Sequence, residues 1–203
     1  MMDISKVGTT HMFPTRVITY TWDDVETLNK ELKEMLFERA EKIPGITYSN
    51  VGGYHSSIDL LSWNYPCIAP FINMVQSMSQ IMARNDGLSD GNKIDLSLTA
   101  WGNIIQNGNY HMVHRHPNNF WSGVYYIDHG NPDETVELNG QFEFVDPRTG
   151  ANMLTHKSLG YPRYQIKPKP GLMIMFPAWL DHFVHPYIGK SKRVTIAFNV
   201  RVV

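Results

Sequence analysis

The chain has 203 residues, a formal net charge of −1 and 18 % charged residues. That is enough for one well-cored domain, and it lacks the field that nucleic acid or an anionic membrane would require. Cys67 is the only cysteine, which excludes an intrachain disulfide and points to a reducing, cytoplasmic setting. Residues 1–6 lack the apolar run of a signal peptide, and no stretch approaches the ~18 apolar residues of a membrane span.

The front half reads helical. Thr21-Trp22-Asp23-Asp24 has the composition of a helix start, with acids placed to complement the dipole. Val25, Leu28, Leu32, Met35 and Leu36 recur at helical spacing until Pro44-Gly45 stops the element. A second helix is expected from about Pro66, with Ile68, Ile72, Val75, Met78 and Met82 on one stripe and Asn85-Asp86-Gly87 as its end. Residues 49–57 between them form a polar, Gly-rich connector of undefined shape.

From about Ile94 the period changes to two. Residues 94–101 alternate apolar and polar, and further strands fit near 110–116, 121–127, 141–144, 172–176 and 193–202. Turn residues separate several of them, at 107–109, 146–150 and 169–171. Helices followed by many short strands predict a mainly β sandwich or jelly roll with helices on one outer face. In the last strand Arg193, Thr195, Ala197 and Asn199 share a small, polar face suited to a cavity. Val194, Ile196, Phe198 and Val200 share an apolar face that needs a cover.

Histidines carry the chemistry. His114 and His116 alternate at a strand end, so both imidazoles point one way, and a third nitrogen from a distant strand end completes a facial metal site. His182 follows the apolar run 172–177, where Trp179, Phe183 and Val184 would bury it. His185 competes for the third position, whereas Asp181 adjoins His182 and faces the opposite way. His111 has the wrong parity for the pair and is assigned to packing or to support of the ligands. Arg193 shares its face with Thr195 and Asn199, as an anchor for a carboxylate beside a metal requires. Of Tyr125 and Tyr126, parity turns Tyr126 toward the cavity.

Several of these segments together resemble a known family. They are His114-Arg115-His116-Pro117-Asn118, Ser122-Gly123-Val124-Tyr125-Tyr126 and Phe144-Val145-Asp146-Pro147-Arg148. Pro170-Gly171, the run from Phe176 to His182 and the run from Arg193 to Asn199 belong to the same pattern, as do Met12-Phe13-Pro14-Thr15 and residues 49–56. The chain is similar to the small 2-oxoglutarate/Fe(II)-dependent oxygenases of marine bacteria and their viruses, and more distantly to prolyl hydroxylases. The resemblance implies a double-stranded β-helix (cupin-like jelly roll) with helices on the outer face of the major sheet. It implies one domain over 1–203, with helical support in about 1–93 and the β-helix core in about 94–203. It also implies Fe(II) held by His114, His116 and His182, and 2-oxoglutarate anchored by Arg193; Tyr126, Thr195 and Asn199, turned to the cavity by parity, are expected beside the co-substrate.

Where the wider superfamily has a carboxylate, this chain has His116. Three neutral imidazoles suit zinc as well as iron. The expected reaction is hydroxylation by O2 of an unidentified substrate, with release of succinate and CO2. The rival expectations are a cupin-like three-His enzyme (a zinc hydrolase or a 2-oxoglutarate-independent dioxygenase) and a non-catalytic jelly-roll binding module. Substrate choice is expected from mouth loops at 128–140 and 149–169. Trp63 and Tyr65, read as exposed aromatics, make a homodimer the expected assembly.

Overall fold

The computed structural model describes residues 3–89, 91–92, 94–153 and 163–203, apart from the Asn152 side chain. In chain order the strands are β1 (Ile18–Thr21), β2 (Asn50–Val51), β3 (Tyr54–His55), β4 (Leu96–Ile105), β5 (Tyr110–His114) and β6 (Trp121–Asp128). β7 (Phe142–Phe144), β8 (Tyr164–Ile166), β9 (Leu172–Pro177), β10 (His182–Val184) and β11 (Arg193–Val202) follow. Helices α1 (Glu26–Lys42) and α2 (Ile68–Asn85) precede β4. Among the described residues no helix is long and apolar enough to cross a membrane.

The strands form two antiparallel sheets. The six-stranded sheet runs β1-β9-β6-β11-β4-β3, and the five-stranded sheet runs β2-β5-β10-β7-β8. Inner faces meet in a core where Ile105, Tyr126, Ile174 and Phe176 of the larger sheet pack with Phe142, Phe144 and Val184 of the smaller. The outer face of the larger sheet carries Val194, Ile196, Phe198 and Val200, together with Tyr125, Met173 and Met175. Leu32, Met35 and Leu36 of α1 and Phe71, Met78 and Met82 of α2 cover it. Both expected jobs of β11 are therefore filled.

Differences from the sequence expectation have local causes. The N-cap of α1 is Val25, without a side-chain capping bond, because residues 18–21 are drawn into the sheet edge against β9. The strand expected at 110–116 ends at His114. The polar connector yields β2 and β3, which join different sheets. Gly53 between them has φ +71, and a Cβ there would meet the Ile104 carbonyl oxygen at 2.6 Å. Only glycine fits that turn. β1, β2, β3, β8 and β10 are two to four residues long, too short for a periodic signal.

Trp63 is buried rather than exposed, at 8 %. Its ring lies 4.6 Å from the Arg39 guanidinium, and its indole N–H donates to Asp59 at 3.2 Å. Tyr65 is half-buried against the helical core.

Candidate metal centre

A cavity of about 490 Å³ opens between the sheets, within the usual range for small-molecule sites. His114, His116 and His182 converge in it, each offering a ligand atom within 4.8 Å of the others. β10 sets His182 directly opposite His114. His114 Nδ1–H donates to the Met112 carbonyl at 2.7 Å, and His182 Nδ1–H donates to the Leu180 carbonyl at 2.8 Å. A carbonyl can only accept, so both rings carry the proton on Nδ1 and turn a bare Nε2 into the cavity. The Nε2 atoms of His116 and His182 are 3.3 Å apart. Two lone pairs at that distance repel unless a cation or proton lies between them. Bonds of about 2.1 Å to one ion at near-right angles give a separation of about 3 Å.

Burial keeps these rings neutral, which is the ligating form. It holds His116 at about 3, with repulsion from His114 and His55 adding to the effect. It pushes His182 well below its ordinary value and lowers His114. His182 is 3 % exposed, packed against the rings of Phe142, Phe144 and Phe176. Trp179, expected to bury it, is itself exposed.

The competing ligands lie elsewhere. His185 Nε2 is 2.8 Å from Glu143, and Asp181 accepts two hydrogen bonds from Arg115. His111 departs from its expected facing. β10 residues His182 and Val184 pair with His114 and His111, so two steps on β10 match three on β5. That extra residue is a bulge, with Met112 and Val113 both exposed. It reverses the parity and turns His111 into the cavity, where burial first and Arg193 second push it down to about 3.

Arg193, Thr195, Ala197 and Asn199 all line the cavity. Arg193 is 2 % exposed, and its guanidinium lies 5.1 Å from the centre of the Tyr126 ring. Tyr126 is fully buried beneath it. Among the described residues, neither Arg193 Nε nor the Tyr126 hydroxyl has a hydrogen-bond partner. No aspartate or glutamate among the described residues lines the cavity. A buried cation with an idle N–H has the chemistry to take a carboxylate. Asn199 Oδ1 accepts from Ser122 Oγ at 2.9 Å.

Sequence reasoning missed His55, Trp101 and Asn103 as lining residues. Trp101 and Asn103 were accessible by extending the alternation past residue 101, since β4 continues to Ile105. His55 gave no periodic signal. The mouth loops also differ from expectation. No residue of 128–140 lines the cavity, whereas Tyr48, Ser49, His55 and Ile58 do. Of the loop expected at 149–169, residues 154–162 lie outside the described ones, and the rest do not line it.

Comparison with known proteins gives a consistent result. Residues 99–199 match the family model described as "Putative 2OG-Fe(II) oxygenase". No curated protein matches the chain. Solved structures with a similar fold include a prolyl-4-hydroxylase of Pseudomonas putida, at 15 % identity and TM-score 0.65, with 92 % of each chain covered. Another is the Trichoplax adhaerens prolyl hydroxylase in complex with a hypoxia inducible factor peptide fragment. It is 11 % identical, with TM-score 0.62 and coverage of 91 % of this chain and 83 % of that one. HygX of Streptomyces hygroscopicus, solved with nickel and 2-oxoglutarate bound, is 11 % identical, with TM-score 0.60 and coverage of 92 % and 83 %. These likenesses establish the double-stranded β-helix fold. The family match over residues 99–199 identifies the chain as a 2OG-Fe(II) oxygenase, with Fe(II) as its metal and 2-oxoglutarate as its co-substrate.

Proposed function

We propose that the chain hydroxylates an unidentified substrate, with His114, His116 and His182 holding Fe(II) and Arg193 holding the distal carboxylate of 2-oxoglutarate. The observation that carries this reading is one cavity containing both three convergent imidazoles and a buried guanidinium with an idle N–H. When bound, Fe(II) and 2-oxoglutarate supply the activation of O2, with succinate and CO2 released and one oxygen atom passed to a substrate C–H.

The residues orient and insulate. The Met112 and Leu180 carbonyls fix the tautomers of His114 and His182. Phe142, Phe144 and Phe176 pack around His182 and exclude water on that side. Tyr126, expected at the cavity wall, is not among the residues lining it and holds the guanidinium from beneath by its ring face. Thr195 supplies the polar floor beside Arg193 on β11, whereas Asn199, expected beside the co-substrate, lies six residues along the strand, about 20 Å away and beyond its reach.

Charge supports the assignment. Three neutral imidazoles leave both metal charges in place, and Arg193 adds a third. A dianionic co-substrate offsets two of the three, with a carboxylate at each end of the cavity floor. A three-His zinc hydrolase would use the imidazoles equally well but would leave Arg193 buried without a counter-charge.

Anaerobic addition of Fe(II) and 2-oxoglutarate is the test. The expected result is a visible metal-to-ligand charge-transfer band, followed in air by slow succinate formation without added substrate. A chain that binds Fe(II) stoichiometrically yet shows neither on adding 2-oxoglutarate refutes the proposal.

A further inference from the structure

One end of the cavity floor has no part in the reading above. On β4 and β11 the pairs Arg193–Ile105, Thr195–Asn103 and Ala197–Trp101 follow in register. At about 3.3 Å per residue, the Trp101 row lies about 13 Å from the Arg193 row, beyond the reach of a five-carbon dicarboxylate anchored there.

At that end the wall is aromatic. His55 stacks on Trp101 with centroids 5.6 Å apart and planes 12° apart. Tyr48 stands edge-on to His55 at 5.5 Å, and Trp101 reaches the His116 ring at 5.5 Å. Two acceptors there lack donors among the described residues. Asn103, one row nearer Arg193 and paired with Thr195, is 4 % exposed, and its Oδ1 has no hydrogen-bond partner. His55, set beside Asn103 by the β3–β4 register, donates from Nδ1 to the Ser56 carbonyl at 2.6 Å, so its Nε2 keeps a lone pair. Buried acceptors are costly to leave unpaired. With no carboxylate among the described residues that line the cavity, a cationic group finds no counter-charge there, and an anionic one is better served at Arg193.

Resting on the proposed function, the geometry points to a primary-substrate subsite formed by Tyr48, His55, Trp101 and Asn103 for an uncharged planar group bearing N–H donors, such as a carboxamide or an N–H heterocycle. The aromatic rings take the flat face, and Asn103 and His55 accept from the edge. The subsite adjoins His116, so a carbon next to that planar group comes nearest the metal.

The test uses the full chain, loaded anaerobically with Fe(II) and saturated with 2-oxoglutarate, titrated calorimetrically with benzamide, benzoate and benzamidinium. These probes share a shape and differ in charge and donors. Benzamide is expected to bind at least about tenfold more tightly than either ion, and Asn103→Leu or Trp101→Leu to weaken it at least about tenfold. Asn103→Asp, nearly the same shape, should turn the preference toward benzamidinium and covers the case in which a leucine variant fails to fold. Equal binding of the three probes, or an Asn103→Asp chain with unchanged preference, overturns the subsite.

The same titrations on metal-free chain separate this inference from the reading it rests on. A charge-transfer band with undiscriminated probes defeats the subsite alone. Benzamide selectivity that depends on Asn103, in a chain that forms no band, defeats the co-substrate assignment and leaves the recognition of the planar group standing.

Discussion

The two faces of β11 make an instructive pair. They belong to the same ten residues, yet Val194, Ile196, Phe198 and Val200 are buried among apolar neighbours from α1, α2, β6 and β9. Arg193, Thr195, Ala197 and Asn199 face a cavity in which a guanidinium N–H goes unused. The first face is close to its energetic optimum. The second holds a buried charge and polar groups that packing alone would replace with aliphatic side chains. Stability is invested on one side and function on the other, two ångström-scale side-chain directions apart.

The comparison can be broken in descending order of effect. His182→Ala, on the wall opposite β11, should take bound Fe(II) from about one per chain to near zero by metal analysis, with the fold retained by circular dichroism. Phe198→Ala should cost about 3–5 kcal/mol in urea unfolding, while 2-oxoglutarate affinity in the folded fraction stays unchanged. Arg193→Met should do the reverse. Loss of a desolvated charge partner, about 2–4 kcal/mol, raises the 2-oxoglutarate dissociation constant by roughly 30- to 1,000-fold, with the melting temperature of the metal-free chain unchanged or higher. If Phe198→Ala weakened 2-oxoglutarate binding in the folded fraction, or Arg193→Met destabilised the metal-free chain, the division of labour between the faces would be wrong.

Acid should sharpen the contrast. His111 and His116 are held at about 3 in the folded chain, against an ordinary value near 6.5. Between those values the unfolded chain binds more protons than the folded one. Stability is therefore full above about pH 6.5 and falls as the pH drops toward 3. Urea midpoints of the metal-free chain measured across that window should show the decline. His111→Leu should flatten it by up to one proton, about 1.4 kcal/mol per pH unit. The smallest effect belongs to the half-exposed pair Lys33–Asp128, 2.6 Å apart at the α1–β6 junction. Lys33→Ala should cost under about 1 kcal/mol, screened by salt.

What was legible in the chain follows from the length scale of each signal. The two helices and the strands of five residues or more announced themselves by period, and the parity of β11 correctly separated its two faces. The resemblance then singled out His182 over His185, and the pairing of His185 with Glu143 agrees. Parity failed at His111, because a bulge is set by pairing with β10 and not by the local sequence. It also gave no account of residues 48–58, where two-residue strands take their shape from the sheets they join. The mouth was misplaced for the same reason. Hydrophilic composition marks 128–140 as a loop without saying which side of the barrel it crosses.

The bulge in β5 behaves like a frame-setting insertion. Removing one residue at position 112 or 113 would bring His111 to two residues from His114, and strict alternation alone would then keep it on the cavity face. The deletion would shorten the exposed outer face by one side chain and leave every imidazole in the cavity. Loss of a residue at this point therefore changes the outer rim of the strand and spares the inner chemistry.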